Sequence, residues 1–302
     1  MKVLITGSTG LVGQSIIQQL LAKGHSVNYL TTSRDKIKSQ ENLNGFYWSH
    51  NQELIDPQSL IGVDAIIHLA GATVAQRWTK KYKKQIMCSR VRSAKLLLNT
   101  LKKHPNQVKQ FISASAIGIY PDSLTETYTE DYEGMNPTFL GKVVKRWEKV
   151  ASKFKELSIG VCKIRIGLVL SEKGGALPQM AKPIRLGLGS SFGSGNQYQS
   201  WIHHEDLAAL FIYALEHQWQ GTFNAVAPNP VTQNVFTRTI SNILNKPLWL
   251  PNVPKFIMRL ILGDMHILLF ESQKVSTEKV LQHGFTFKYE FIEDALRDLL
   301  KK

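Results

Sequence analysis

The sequence has few cysteines and no long apolar run. Its 302 residues include two cysteines, Cys88 and Cys162, which are far apart and show no CxxC or metal-binding spacing. We therefore expect free thiols in a reducing cytoplasm, with no disulfide framework and no metal site. The most apolar stretch, 256–270, is interrupted by charged residues, so neither a membrane-spanning helix nor a membrane partner is expected. A strand is predicted within three residues of Met1, so we also expect no signal peptide.

Acidic residues are absent between Asp64 and Asp122, in a chain whose net charge is +14. A positive surface attracts phosphates of any kind, from a dinucleotide to nucleic acid. Because charge runs usually only solubilise a helix and no nucleic-acid motif is present, a solvated helix face is the simpler interpretation, and nucleic acid is not an expected partner. The cations of this stretch are Arg77, Lys80, Lys81, Lys83, Lys84, Arg90, Arg92, Lys95, Lys102, Lys103 and Lys109.

Strands and helices alternate over the first part of the chain. Short apolar runs rich in β-branched residues predict strands, and apolar residues spaced three and four apart predict helices. This alternation is typical of a parallel sheet covered by helices on both faces. The predicted strands are 2–6, 26–31, 63–69, 110–115, 160–170 and 221–225, and the predicted helices include one beginning near 11 and others over 79–103, 139–154 and 205–217.

Three glycines with GxxGxxG spacing join the first predicted strand to the first predicted helix. The first permits a tight turn, the second lets the backbone approach a diphosphate, and the third lets the helix pack close to the strand. The free N–H groups at the start of the helix then bind the anion. The loop predicts a nucleotide-cofactor site, whose expected contacts are Gly7, Ser8, Thr9, Gly10, Leu11, Val12 and Gly13.

The choice of cofactor depends on the residues after the second strand. An acidic residue there binds the ribose 2′-hydroxyl of NAD, whereas a cation accommodates the 2′-phosphate of NADP. Thr32, Ser33 and Arg34 come first, which favours NADP(H). Asp35 leaves NAD open, because a shift of one residue in register would bring it to the ribose.

These features, with segments further along, carry a family resemblance. The chain resembles an extended short-chain dehydrogenase/reductase of the atypical branch named epimerase-family proteins or nucleoside-diphosphate-sugar epimerases. The segments that carry the resemblance are 6–13, 64–72, 77–78, 89–91, 115–120, 147–148, 165–170, 200–203, 223–228 and 284–285.

The resemblance implies an α/β fold: a Rossmann-type doubly wound parallel sheet with a smaller C-terminal α/β substrate-binding region. We expect residues 1–170 to form the NADP-binding domain, with 201–228 returning to its sheet. Residues 171–200 and 229–302 would form the substrate-binding region for a small molecule or nucleotide sugar. A homodimer is a further expectation.

The resemblance also assigns cofactor contacts to the ends of later strands. Leu69, Ala70 and Gly71 are expected on the adenosine side. Ser113 and Ala114 are expected at the nicotinamide ribose, and Ile166, Gly167 and Leu168 near the nicotinamide amide. Arg90 falls among the apolar residues of its helix, so it needs an anionic partner, either cofactor phosphate or a structural carboxylate.

The Tyr-x-x-x-Lys pair of the superfamily is missing. Its positions hold Phe139 and Val143, while Lys142 lies one residue early and is a candidate ribose contact. The usual serine position holds Ala116. Two hypotheses follow: an NADP(H)-dependent epimerase-like oxidoreductase, or a catalytically degenerate NADP(H)-binding regulatory protein. The substitute catalytic candidates are Ser115 and Tyr120, the candidate substrate contacts are Trp201 and His203, and Asp206 is assigned a helix-start role.

Overall fold

The computed structural model describes residues 1–301. Its helices are α1 (Leu11–Ala22), α2 (Lys80–Lys103), α3 (Phe139–Ser152), α4 (Ala176–Arg185), α5 (His204–Glu216), α6 (Gln233–Leu244), α7 (Lys255–Leu262), α8 (Ile267–Phe270), α9 (Glu278–Gln282) and α10 (Ile292–Leu300). Its strands are β1 (Lys2–Thr6), β2 (Ser26–Thr31), β3 (Ser39–Gln40), β4 (Leu43–Ser49), β5 (Leu54–Ile55), β6 (Ala65–His68), β7 (Gln110–Ala116), β8 (Thr127–Tyr128), β9 (Gly160–Ile166), β10 (Leu168–Leu170), β11 (Tyr198–Gln199), β12 (Trp201–His203), β13 (Gly221–Ala225), β14 (Val231–Thr232) and β15 (Lys274–Val275). Short 3₁₀ turns lie between several of these elements.

A nine-stranded sheet forms the centre of the molecule, in the order β13-β9-β7-β6-β1-β2-β4-β3, with β5 beside β4. Strands β13 to β4 in this order pair in parallel, whereas the short β3 and β5 pair with β4 antiparallel. The chain leaves β1 in one direction through β2 and β4, and in the other through β6, β7, β9 and β13. The fold is therefore the doubly wound α/β fold that the sequence predicts, with its reversal of strand order between β1 and β6.

Both faces of the sheet are buried against helices. On one face, Ile16 and Leu20 of α1 pack with Leu207 and Phe211 of α5 in one apolar cluster. On the other face, a second cluster contains residues of α2 and the segment after α3. Burial on both faces explains why β1 and β6 contain the continuous apolar runs Val3–Ile5 and Ala65–Ile67.

The predicted strand over 160–170 is in fact two strands, because the chain changes partner at Gly167. Its N–H bonds to the carbonyl of Ala225, and the next N–H, of Leu168, bonds to the carbonyl of Ser200. β9 thus stays in the main sheet while β10 pairs with β12. Strand β4, which we did not predict, extends the sheet beyond β2.

The C-terminal region has a core of its own. Helices α4, α6 and α10 contribute Leu177, Ile184, Phe236, Ile240 and Leu296 to one apolar cluster. The small sheets β10-β12 and β11-β14 lie in the same part of the chain. Within residues 1–301, no helix has both the length and the apolarity needed to cross a bilayer.

Candidate cofactor site

The turn from β1 to α1 requires glycine at two of its three glycine positions. Gly7 has a φ of 73°, and a Cβ there would lie 2.9 Å from the backbone of Leu69. A Cβ on Gly13 would lie 2.3 Å from the carbonyl oxygen of Gly7. Gly10 differs, because a Cβ there would have one close neighbour, the Gly7 oxygen at 3.2 Å. The fold itself therefore demands Gly7 and Gly13, while Gly10 borders open space.

The start of α1 is chemically suited to an anion. Gly10 is the N-cap and supplies no side-chain hydrogen bond, so the first N–H groups of the helix face outward without a side-chain acceptor. Beside them the Ser8 hydroxyl is buried and has no hydrogen-bond partner in residues 1–301. A diphosphate would satisfy both kinds of donor and would gain from the positive end of the helix. The residues present fit the diphosphate of a dinucleotide.

A cavity of about 610 Å³ opens beside this turn. Of the predicted contacts, Gly7, Thr9, Thr32, Ala70 and Gly71 line it. The remaining lining residues are Leu30, Thr31, Trp48, His50, Asn51, Ala72, Lys81, Lys84, Gln85, Cys88, Ser89 and Arg92.

The lining is positively charged on one wall. Lys81, Lys84 and Arg92 come from α2, and no aspartate or glutamate is among the residues that line the cavity. The basic run of the sequence is therefore partly a wall of the candidate cofactor site, not only a solvated helix face. Burial, with the charge of Arg92 adding to it, lowers the pKa of His50 and so favours the neutral ring.

The end of β2 and the turn after it border the cavity, with Thr31 and Thr32 in its lining. The Ser33 N–H donates to the Thr31 hydroxyl at 3.2 Å, which fixes the turn. Arg34 is exposed and its guanidinium lies 4.4 Å from the centre of the Tyr47 ring. Asp35 is also exposed, and neither Arg34 nor Asp35 is among the residues that line the cavity. Stacking on Tyr47 holds the Arg34 guanidinium at this turn, whereas no such contact is present for Asp35 within residues 1–301.

Arg90 makes its hydrogen bonds to backbone carbonyls and forms no ion pair with a structural carboxylate within residues 1–301. Its Nη1 donates to the backbone carbonyls of Ala72 and Ile86, at 3.0 and 3.1 Å. Burial lowers the pKa of Arg90 to about 10, and the guanidinium lies 5.2 Å from the centre of the Trp147 ring. Arg90 packs against the backbone of Gly71 and does not line the cavity. We conclude that it supports the cavity wall from behind.

The predicted contacts on the nicotinamide side lie outside this cavity. Ser113 and Ala114 are buried in β7, and the Ser113 hydroxyl donates to the Ala114 carbonyl. Ile166, Gly167 and Leu168 are half-buried, and Lys142 is exposed on α3. A Cβ on Gly167 would lie 2.2 Å from the Ser200 carbonyl oxygen, so glycine is needed there for the change of strand partner.

Ser115 and Tyr120 do not reach a cleft, contrary to the prediction that they replace the missing catalytic pair. Ser115 is buried and donates to Glu148 at 2.6 Å. Tyr120 is completely buried, donates to Asn224 at 2.8 Å and accepts from Arg165 at 2.8 Å. Burial raises the pKa of Tyr120 to about 12. Both hydroxyls belong to a buried polar network, which is a structural role.

The Glu148–Arg165 ion pair is the centre of that network. Arg165 donates from Nε and Nη2 to the two carboxylate oxygens, at 2.9 and 3.1 Å. Burial alone would raise the pKa of Glu148, but the hydrogen bond and charge of Arg165, with Ser115, outweigh it and lower the pKa. The Glu148 carboxylate is therefore ionised in the folded protein, where it stabilises the buried charge of Arg165.

We expect Glu148→Gln to destabilise the fold by about 3–5 kcal/mol, because it leaves the buried Arg165 charge uncompensated. The matched control is Glu156→Gln in the exposed pair with Lys102, for which we expect a loss of about 1 kcal/mol or less. Urea unfolding measures both. The contribution of Glu148 is present above the unfolded carboxyl pKa of about 4.3 and is lost as the pH falls through the lower folded value. Equal losses for the two variants at pH 7 would contradict this account.

Trp201 and His203 are buried core residues, not the predicted substrate contacts. Trp201 packs in the cluster of the C-terminal region and donates from Nε1 to the Asn229 carbonyl. His203 caps α5 by accepting the Glu205 N–H, and burial lowers its pKa to about 4. The helix-start role assigned to Asp206 thus belongs to His203. The Asp206 carboxylate instead accepts the N–H groups of 288 and 289 and anchors the C-terminal segment.

The positions assigned to the missing pair face α2. Val143 is buried with Trp78 and Ile86, and Phe139 packs on the same cluster. Leu140, one residue on, lies next to Gly118 in the loop after β7. The side chains of α3 at the two assigned positions, and at Leu140, are therefore all apolar.

Glu271 is a titratable residue of this region that no sequence motif predicts. Its carboxylate accepts a hydrogen bond from the buried Asn136 side chain at 3.1 Å, and the Asn136 N–H is bonded to the Ile119 carbonyl of the loop after β7. Two residues further on, Gln273 donates to the Tyr120 carbonyl. Burial raises the pKa of Glu271 to about 7, with Asp122 adding to the effect and Asn136 and Lys255 opposing it.

The doubly wound sheet and its glycine turn are those of a Rossmann-fold protein of the extended short-chain dehydrogenase/reductase type. The chain belongs to the NAD dependent epimerase/dehydratase family, whose profile matches residues 3–226. Residues 253–299 match a separate domain of unknown function, DUF1731.

The similarity to known proteins extends along the whole of this chain. An epimerase family protein of Staphylococcus epidermidis is 36% identical over 303 residues, with 99% of each chain covered. The crystal structure of human epimerase family protein SDR39U1 with NADPH is 30% identical, with a TM-score of 0.87 over 100% of this chain and 99% of that one. The nucleoside-diphosphate sugar epimerase of Corynebacterium glutamicum is 29% identical, with a TM-score of 0.80 over 99% of this chain and 58% of that one.

Proposed function

We propose that the protein is an NADP(H)-dependent oxidoreductase or epimerase-like enzyme. The observation that carries the proposal is the glycine turn opening onto a cavity whose lining has three cations and no acidic side chain. NADP(H), when bound, supplies or accepts a hydride at the nicotinamide. The start of α1 holds the diphosphate, and Arg34 with Ser33 holds the 2′-phosphate. The relative crystallised with NADPH supports this choice of cofactor.

Glu271 is our candidate for the proton-transfer group, in place of the missing tyrosine. The segment from Glu271 to Val275 crosses the carboxyl ends of β7 and β9. Gln273 donates to the Tyr120 carbonyl in the loop after β7. Ser200 donates to the Gln273 carbonyl and accepts the N–H of Leu168, two residues beyond the end of β9. Ligands of open α/β sheets bind at these strand ends. A carboxyl group with a pKa of about 7 both donates and accepts protons near neutral pH.

At pH values above 7, we expect Glu271→Gln to melt about 2–4 °C higher than the parent. Near pH 4, the variant and the parent should melt at the same temperature. The folded pKa of about 7 lies above the unfolded value of about 4.3. The carboxyl group therefore favours folding at low pH and loses that contribution as the pH rises through 7. The amide removes the ionisation and the pH dependence with it. A variant that is equally destabilised at all pH values would rule out a titrating carboxyl.

Turnover tests the reaction itself. Reduction of aldehydes and ketones is followed by NADPH consumption, and epimerisation of nucleotide sugars by chromatography of the epimer formed, because an epimerase returns the hydride and consumes no net cofactor. Gly10→Ala is the cofactor-site control for both assays. A compound that the parent converts and Glu271→Gln does not, with NADPH affinity unchanged, supports the proposal that the protein is an enzyme.

The second candidate function is a regulatory protein that only binds NADP(H). The apolar residues at the Tyr–Lys positions favour it. Tight NADPH binding without turnover of any compound would support this regulatory function.

The two free thiols, Cys88 and Cys162, support a location in a reducing compartment, which we propose is the cytoplasm.

A further inference from the structure

The C-terminal region exposes an unusual amount of large apolar surface. Six large apolar side chains in residues 1–301 are more than 60% exposed, and five of them, at 61–76%, lie in 186–261. The sixth, Ile61, lies elsewhere at 67%. Single exposed apolar residues are ordinary, but a concentration of them marks an interaction site. The five residues, named here the apolar ridge, are Leu186, Trp249, Phe256, Leu260 and Ile261.

The residues of the apolar ridge lie on neighbouring segments. Trp249 donates from Nε1 to the Gly187 carbonyl, next to Leu186. Further along, Val253 pairs with Phe192, and α7 begins two residues later. The loop 249–254 therefore runs beside 187–193 and leads directly into the helix that carries the other three residues.

Helix α7 has no buried residue, although half or more of its side chains are large and apolar. It is held at its C-terminal end, where Asp264 accepts from Lys83 at 2.6 Å and Met265 packs on the cluster of Trp78. Because its own domain does not cover it, the apolar surface of α7 is available to an external partner.

The charge around the apolar ridge selects the kind of partner. Segments 173–204 and 217–263 contain no aspartate or glutamate. A second copy of this chain would bring the same positive charges together, which opposes self-association. Anionic lipid headgroups complement them, and tryptophan and basic residues beside apolar ones are typical of interfacial helices. The cations of these segments are Lys173, Lys182, Arg185, Arg238, Lys246, Lys255 and Arg259.

We propose that the protein docks on anionic phospholipid surfaces through the apolar ridge. Phe256, Leu260 and Ile261 enter the boundary between headgroups and acyl chains, while Lys255 and Arg259 pair with the headgroups. Docking is peripheral and depends on ionic strength, because its electrostatic part is screened by salt.

Co-sedimentation with vesicles tests the proposal. We expect the parent to bind phosphatidylcholine/phosphatidylglycerol vesicles at least about tenfold more than pure phosphatidylcholine vesicles at low salt. Leu260→Ser with Ile261→Ser, and separately Lys255→Glu with Arg259→Glu, should each reduce binding about tenfold or more. The matched controls are Ile61→Ser and the exposed pair Lys145→Glu with Arg146→Glu on α3, which should bind like the parent.

Three outcomes would overturn the proposal. The first is no binding of the parent to anionic vesicles. The second is equal loss in the α3 charge control, which would mean that net charge alone attracts the protein. The third is a dimer of the parent in sedimentation that Leu260→Ser dissociates, which would assign the ridge to a second copy. NADPH affinity, measured on the same samples, should be unchanged in all variants, so this test is independent of the proposed function.

Discussion

Gly10→Ala is expected to abolish most NADPH binding while leaving the protein folded. The backbone at Gly10 is extended, with φ −79° and ψ 166°, which alanine adopts readily. The new methyl group enters the space in front of the helix start, where the diphosphate would lie. Each charge-assisted hydrogen bond that is lost costs roughly 1.5–3 kcal/mol, so the Kd for NADPH should rise at least about tenfold. Titration of NADPH fluorescence measures the change.

Two other glycines provide the controls. Gly174 has nothing within 4 Å of a Cβ, so Gly174→Ala should bind NADPH and melt like the parent. Gly13→Ala places a Cβ 2.3 Å from the Gly7 oxygen and should lower stability by about 1–3 kcal/mol as well as affinity. If Gly10→Ala binds NADPH as tightly as Gly174→Ala, the diphosphate does not lie at the start of α1.

Arg34→Ala is expected to remove most of the preference for NADPH over NADH. The guanidinium is held against Tyr47, beside the hydroxyls of Thr32 and Ser33, where it pairs with a 2′-phosphate. NADPH affinity should fall about tenfold, and NADH affinity should stay the same, because NADH has no phosphate at this position. Calorimetric titration with the two dinucleotides gives both affinities.

Lys36→Ala is the matched control for Arg34→Ala, because Lys36 is an exposed cation in the same turn and, unlike Arg34, has no aromatic ring contact within residues 1–301. It should keep the preference for NADPH. Arg92→Ala, which removes a cation from the opposite wall, should weaken both dinucleotides if Arg92 interacts with the shared diphosphate or adenosine. A variant at Arg34 that loses NADH affinity equally would show that the arginine does not recognise the 2′-phosphate.

Local sequence patterns were sufficient to predict much of the sheet. The bounds of β1, β2 and β13 are those predicted, and α2 begins one residue after Thr79, which caps it. Each of these elements carries its own signal: a short apolar run between turns, or a polar cap before an apolar stripe. The glycine turn was predicted for the same reason, because three residues within seven positions specify it.

Features that depend on distant parts of the chain were missed. Trp201 and His203 follow a polar loop and precede a helix, which is typical of a cleft, but packing against 288–300 buries them. Tyr120 looked free to act, yet Arg165 and Asn224 come from strands much later in the chain. Lys81, Lys84 and Arg92 line the cavity because of the face that α2 turns towards β1, and the sequence alone does not show which face that is. Sequence spacing defines a helical face, but tertiary packing decides what that face meets.

Calorimetric titration of the folded, unmodified chain with NADPH and with NADH, at low and high salt, tests the central claim most directly. We predict saturable binding of both dinucleotides, with NADPH at least about tenfold tighter at low salt and its advantage reduced at high salt, because an exposed ion pair with the 2′-phosphate is screened. No heat with either dinucleotide would contradict the cofactor site itself. Equal affinities at both salt concentrations would contradict the assignment of NADP(H).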